Sequence, residues 1–156
     1  MLVRDWMTSN PLTLAPEESI RSTLRLLRQH CFQQFPVIKD GKLVGMITAK
    51  DIRDAPKRLK TVDEVMIYDP PTLAEDTTLE EAARIVCDRK INALPVISGK
   101  NELVGIITVV DILDGLIESL GFHEELIREK EALKETFELF QITCELLHRL
   151  DRRSRH

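Results

Sequence analysis

The chain repeats itself. Residues 3–52 align on 62–112, with one extra residue in the second copy after Lys100, and seventeen of roughly fifty positions are identical. The matches run from Val3/Val62, Met7/Met66 and Pro11/Pro70 through Thr13/Thr72, Leu14/Leu73, Ala15/Ala74 and Arg25/Arg84. They continue through Pro36/Pro95, Val37/Val96 and Ile38/Ile97 to Leu43/Leu103, Val44/Val104, Gly45/Gly105, Ile47/Ile107, Thr48/Thr108, Asp51/Asp111 and Ile52/Ile112. A doubling this extensive constrains the fold more than any single motif, because both halves must adopt the same local structure and then cover each other's apolar faces.

Each copy opens with a short extended segment after a proline, Leu12 to Leu14 and Thr72 to Ala74, since proline keeps its predecessor out of helical space. An amphipathic helix follows, with Ile20, Leu24, Leu27 and Cys31 on one face in the first copy and Leu79, Ala83 and Val86 in the second. Thr77 with Glu80, or Thr78 with Glu81, supplies a capping box at the start of the second. Two β-rich runs come next, Phe35 to Ile38 with Leu43 to Thr48, and Leu94 to Ile97 with Leu103 to Thr108. A further helix starts at each Thr-x-x-Asp. The expected unit is β-α-β-β-α, in which the helix links a parallel pair and the short turn makes an antiparallel hairpin. A unit of fifty-odd residues cannot cover both faces of its own sheet, so two copies should pack about a pseudo-two-fold axis in a mixed α/β (α+β) architecture. The expected division is repeat 1 over 1–54, a polar connector with Pro56 over 55–61, repeat 2 over 62–117 and a helical extension over 118–156.

Composition narrows the function. With 156 residues, 43% hydrophobic and 31% charged, the chain has enough apolar material for a core without staples. Its longest apolar stretch, Leu103 to Val110, is far below the roughly 18 residues of a membrane span. Arg4 and Asp5 interrupt the start, so no secretory signal peptide is expected. Cys31, Cys87 and Cys144 are too dispersed for a disulfide framework or zinc site, which points to the cytoplasm. A net charge of −4 argues against broad attraction to nucleic acid or anionic lipid. Arg149, Arg152, Arg153 and Arg155 form one local basic patch, read as a helix C-terminus and tail. His123 and His148 have no partners at metal-ligand spacing, and no nucleophilic triad is present, so neither metal nor catalysis is expected. Trp6 reads as packing.

Met7-x-x-x-Pro11 with Met66-x-x-x-Pro70, Phe35-Pro36-Val37-Ile38 with Leu94-Pro95-Val96-Ile97, and Leu-Val-Gly-x-Ile-Thr-x-x-Asp-Ile ending at Ile52 and Ile112 together resemble a tandem pair of CBS (cystathionine-β-synthase-type) domains, a Bateman module. The resemblance covers residues 1 to about 117. It implies a ligand sensor for adenosine-containing molecules such as AMP, ATP or S-adenosylmethionine, with no cofactor required. In the family's nucleotide binders the motif's Asp looks towards the ribose and its hydroxyl residue towards phosphate. Those positions are Asp51 and Thr48, and Asp111 and Thr108. The chemistry is sound, because a carboxylate accepts from both hydroxyls of a diol and helix-start N–H groups suit an anion. The same spacing is equally that of a capping box.

The family's layout implies two clefts. One would combine Thr48, Lys50 and Asp51 with Pro71, Thr72, Asn92 and Ala93, and the other Thr108 and Asp111 with Leu12, Thr13, Gln33 and Gln34. The basic residues that often precede the Pro-Val are Gln33-Gln34 and Asn92-Ala93 here. Lys50 partly compensates while its counterpart Val110 does not, so the first cleft is expected to prefer a charged ligand.

From His123 to Leu150 there is neither Pro nor Gly, and Leu126, Leu133, Phe140 and Leu147 recur every seven residues with Phe137 and Cys144 between them. This helix is expected either to dock on its own core or to pair with a second copy as a homodimer. Three roles follow: an adenosyl sensor signalling through a dimer or an effector protein, a ligand-free assembly module, or the sensor part of a larger enzyme or transcription regulator.

Overall fold

The computed structural model describes residues 1–30 and 33–119. Cys31, the C-terminal heptad pattern and the basic tail lie outside the described residues. The expected hairpins and the helices of the two repeats form where the sequence placed them, whereas Leu12 to Leu14 makes no strand and contributes only an isolated bridge at Leu14. In the first repeat these are α1 (Ile20–His30), β2 (Gln34–Lys39), β3 (Lys42–Thr48) and α2 (Ala49–Asp54). In the second they are β5 (Leu73–Ala74), α3 (Leu79–Arg89), β6 (Ala93–Ile97), β7 (Leu103–Thr108) and α4 (Val109–Ser119). β5 runs parallel to β6 across α3, and a Leu14–Val37 bridge is the matching parallel contact in the first repeat. β2–β3 and β6–β7 are antiparallel hairpins, each with a register shift at the same place, Val37/Ile38 and Val96/Ile97. Thr78 rather than Thr77 caps α3, its hydroxyl accepting from Glu81 N.

Two further strands carry no alternation in the sequence. β1 (Thr8–Ser9) pairs with β7 of the second repeat, and β4 (Ile67–Tyr68) pairs with β3 of the first. Each repeat therefore completes its neighbour's sheet, in the orders β1-β7-β6-β5 and β2-β3-β4. The exchange begins earlier still. Leu2 bridges Thr78 and Val3 N donates to Thr77 O, while Thr61 bridges Ser19 and Val62 N donates to Glu18 O. The cores follow the same crossing. Val3 packs with Leu73, Leu79, Leu94, Val96 and Ile107, whereas Val62 and Met66 pack with Leu14, Phe35, Val37 and Ile47. Both valines are fully buried, and each such side chain is worth about 1.5–3 kcal/mol.

The repeated glycine is explained by this crossing. A Cβ on Gly45 would stand 2.5 Å from Met66 Sδ and 2.9 Å from Ile67 O, and one on Gly105 would meet Met7 Sδ and Thr8 O. The bare backbone is thus the seat of the partner's methionine, which is why Met7 and Met66 recur with Gly105 and Gly45. Trp6 is used for packing, over Gly115 of α4.

Candidate functional site

Both Thr-x-x-Asp segments fold as reciprocal boxes. At α2, Thr48 N and Thr48 Oγ1 donate to Asp51 Oδ2 at 2.8 and 2.6 Å, and Asp51 N donates to Thr48 Oγ1 at 3.1 Å. At α4, Thr108 and Asp111 repeat the pattern at 2.8, 2.6 and 3.3 Å. The capping reading of the motif is therefore realised in each copy. It uses one carboxylate oxygen, and Oδ1 of each aspartate takes no part in the box. Ala49 N donates to Gln33 O and Val109 N to Asn92 O. These bonds occupy further helix-start donors, so an anion has fewer free backbone N–H groups here than the sequence suggests.

A cavity of about 310 Å³ opens beside α2, lined by both repeats. Thr48, Lys50 and Arg53 reach it from the end of β3 and from α2, with Gln33, Gln34 and Met46 from the β2–β3 hairpin. The second repeat contributes Ile67, Pro70 and Pro71 ahead of β5, then Lys90, Ile91, Asn92 and Ala93 between α3 and β6. The walls are apolar at Met46, Ile67, the two prolines, Ile91 and Ala93, and Lys50, Arg53 and Lys90 add three cations.

Of the residues expected in the first cleft, Thr48, Lys50, Pro71, Asn92 and Ala93 meet in this cavity. Asp51 borders a neighbouring hollow of about 290 Å³ instead, with Lys50, Asp54, Ala55, Pro56, Leu59, Glu64 and Val65. Gln33 and Gln34, which the family's layout put in the second cleft, line the first. Thr72, Leu12, Thr13, Thr108 and Asp111 line neither of these two hollows. Met46, Arg53, Ile67, Pro70, Lys90 and Ile91 also line the cavity and are not among the residues expected from the sequence. Arg53 lies three residues after Lys50 and so on the same helix face, a signal the sequence did carry. Lys90 is placed by an αL turn at the end of α3 (φ 54°, ψ 46°), which a lysine does not announce.

Beside these hollows, Glu64 takes 2.7 and 3.0 Å bonds from Lys60 N and Thr61 N and one from the Thr61 hydroxyl. The Lys60 N–H first, then Thr61, holds its carboxyl below the usual glutamate range. No cluster of three metal-ligating side chains occurs among the described residues. Nor is any described helix long and apolar enough to cross a membrane.

Residues 3–58 and 62–118 match the family described as CBS domain. The chain belongs to the CBS domain family. Its CBS pair is 38% identical over 101 residues to inosine-5'-monophosphate dehydrogenase of Korarchaeum cryptofilum, covering 65% of this chain and 21% of that enzyme. The chain thus spans about a fifth of the length of that curated relative. Among solved structures, CBSX2 in complex with AMP is 28% identical with a TM-score of 0.69, over 75% of this chain and 96% of that one. The CBS domain pair of protein MJ0100, in complex with 5'-methylthioadenosine and S-adenosyl-L-methionine, is 30% identical with a TM-score of 0.68, over 76% and 98%.

Proposed function

We propose that this CBS pair is a non-catalytic ligand sensor that takes an adenosine-containing molecule, of the AMP, ATP or S-adenosylmethionine class, into the cavity between its repeats. The observation that carries the reading is that cavity, whose apolar walls come from both copies and whose volume of about 310 Å³ falls at the lower end of the range for small-molecule sites. A purine lies between Met46, Ile67, Pro71 and Ala93, and the polar rim receives sugar and phosphate. Asp51 borders the adjacent hollow that Lys50 also lines, and in this reading its Oδ1, outside the helix box, accepts from the ribose where the sugar reaches that edge. Similar CBS pairs hold AMP, or methylthioadenosine and S-adenosylmethionine.

Residues 1–54 and 62–117 form the sensing pair in this reading and 55–61 connect them. Residues 118–156, through Leu126, Leu133, Phe137, Phe140 and Leu147, carry homodimerisation or output to an effector protein in the cytoplasm. A ligand acts only by favouring one of two arrangements, and the interface between repeats is the element it bridges. A second reading, in which the pair senses for a larger enzyme, is favoured by the relative five times its matched length.

Thermal shift and calorimetry on the full chain with AMP, ATP, S-adenosylmethionine and adenosine test the proposal. At a hundredfold excess over Kd a true ligand stabilises by about 2.7 kcal/mol, which is about 5–10 °C for a chain of this size. Asp51→Ala should weaken binding about tenfold or more, the value of a charge-assisted hydrogen bond. If none of the four raises the melting temperature, the sensor reading fails and an assembly module remains.

A further inference from the structure

We infer that this cavity selects phosphate-bearing adenosine ligands and rejects S-adenosylmethionine, with Lys50, Arg53 and Lys90 as the specificity-determining residues. The inference rests on the reading that the cavity takes an adenosyl ligand, and adds the charge class of that ligand. Three of the thirteen lining side chains are cationic and none is a carboxylate. Lys50 and Arg53 stand three residues apart on α2, and Lys90 faces the same hollow from the other repeat. All three residues are exposed. The acids closest to them in the chain, Asp51, Asp54 and Asp88, lie outside this lining. Asp51, Asp54 and Glu64 border the adjacent hollow, shared only through Lys50, and the Arg53–Asp54 contact is long at 4.0 Å.

The two ligand classes differ where the cations are. AMP carries about two negative charges at neutral pH and ATP more. S-adenosylmethionine replaces the phosphate with a fixed sulfonium and an amino-acid tail, and is cationic overall. Three like charges repel it, while adenosine and methylthioadenosine are indifferent to them. Exposed ion pairs are worth little singly, about a two- to fivefold preference each, so the three together give about ten- to a hundredfold. Salt should erode that preference, because exposed charges are screened.

The test is calorimetry of the full chain with AMP, ATP, adenosine, methylthioadenosine and S-adenosylmethionine, at low and at physiological salt. ATP and AMP are expected to bind most tightly, the neutral nucleosides less, and S-adenosylmethionine least. The triple variant Lys50→Gln, Arg53→Gln, Lys90→Gln should bring AMP and ATP down to the affinity that adenosine shows on the same variant. Each single substitution should remove part of the preference, which serves if the triple variant melts early. Arg84→Gln, exposed on α3 outside the lining, should leave the order intact. The inference is overturned if S-adenosylmethionine binds as tightly as AMP, or if the triple variant keeps the phosphate preference; adenosyl recognition then stands without charge selection. Failure of every ligand, adenosine included, instead removes the underlying reading and this inference with it.

Discussion

Replacing Gly45 by alanine places a methyl group where β4 of the second repeat crosses β3. Glycine inside a strand normally costs about 0.5–1 kcal/mol relative to alanine, so on propensity alone the substitution should stabilise. The crossing reverses the sign. The new Cβ would sit 2.5 Å from Met66 Sδ and 2.9 Å from the Ile67 carbonyl oxygen. Met66 could shift its flexible end, but it is only 7% exposed, and the carbonyl is backbone and must carry β4 with it. Overpacking of this kind costs about 1–3 kcal/mol, and the Gly45–Tyr68 and Met46–Ile67 register pairs would be strained as well. The net expectation is a loss of about 1–2 kcal/mol, or about 2–8 °C in melting temperature for a chain of this size. Urea unfolding at equilibrium reads the value directly. Gly99→Ala is the control, because a Cβ there meets nothing within 4 Å. If Gly45→Ala stabilises the protein as Gly99→Ala does, the second repeat's strand does not seat on Gly45, and the account of the paired Met and Gly motifs is wrong.

Three other outcomes follow from the same structure. Gly115→Ala should destabilise by about 1–3 kcal/mol, because its Cβ would meet Leu79 Cδ1 and Trp6 Cε2; combining it with Trp6→Ala should be less than additive by double-mutant cycle. Asp111→Asn should cost about 1 kcal/mol in denaturant unfolding by weakening the cap of α4, and a neutral result would show that the Thr108 box contributes nothing. Glu64 has a folded pKa below its unfolded value near about 4.3, held there first by Lys60 N–H. Its contribution to stability is therefore complete above that value and is lost as pH falls through the folded pKa. Melting curves from neutral to acid should show a shallower acid limb for Glu64→Gln, and identical limbs would refute the link.

The hairpins, α1, α3 and the helix starts were legible because each has a local signal: β-branched runs flanking a turn, a 3.6-residue apolar period, or a hydroxyl three residues before a carboxylate. β1 and β4 were not, since two residues are too few to show alternation and their pairing partners lie 96–98 and 21–23 residues away in the chain. The signal was present all the same, as a methionine at a fixed distance before a proline, but its meaning lay in a glycine of the other copy. The site divided in the same way. Thr48, Lys50, Asn92 and Ala93 were brought together by the layout that the family resemblance implies, whereas Lys90 depended on a left-handed residue at a helix end and Gln33 on which side of the hairpin the hollow opens.

The crossing of Val3 and Val62 into opposite cores has a consequence for any attempt to divide the molecule. Neither half owns a finished sheet: cut at the connector, each would keep a bare edge and release a short arm suited to the other's edge. Two separately produced halves should consequently be unstable alone yet knit together on mixing, and a lone half at high concentration should lend its arm to a copy of itself. Covalent linkage then supplies proximity to an arrangement that is, in its geometry, already a dimer.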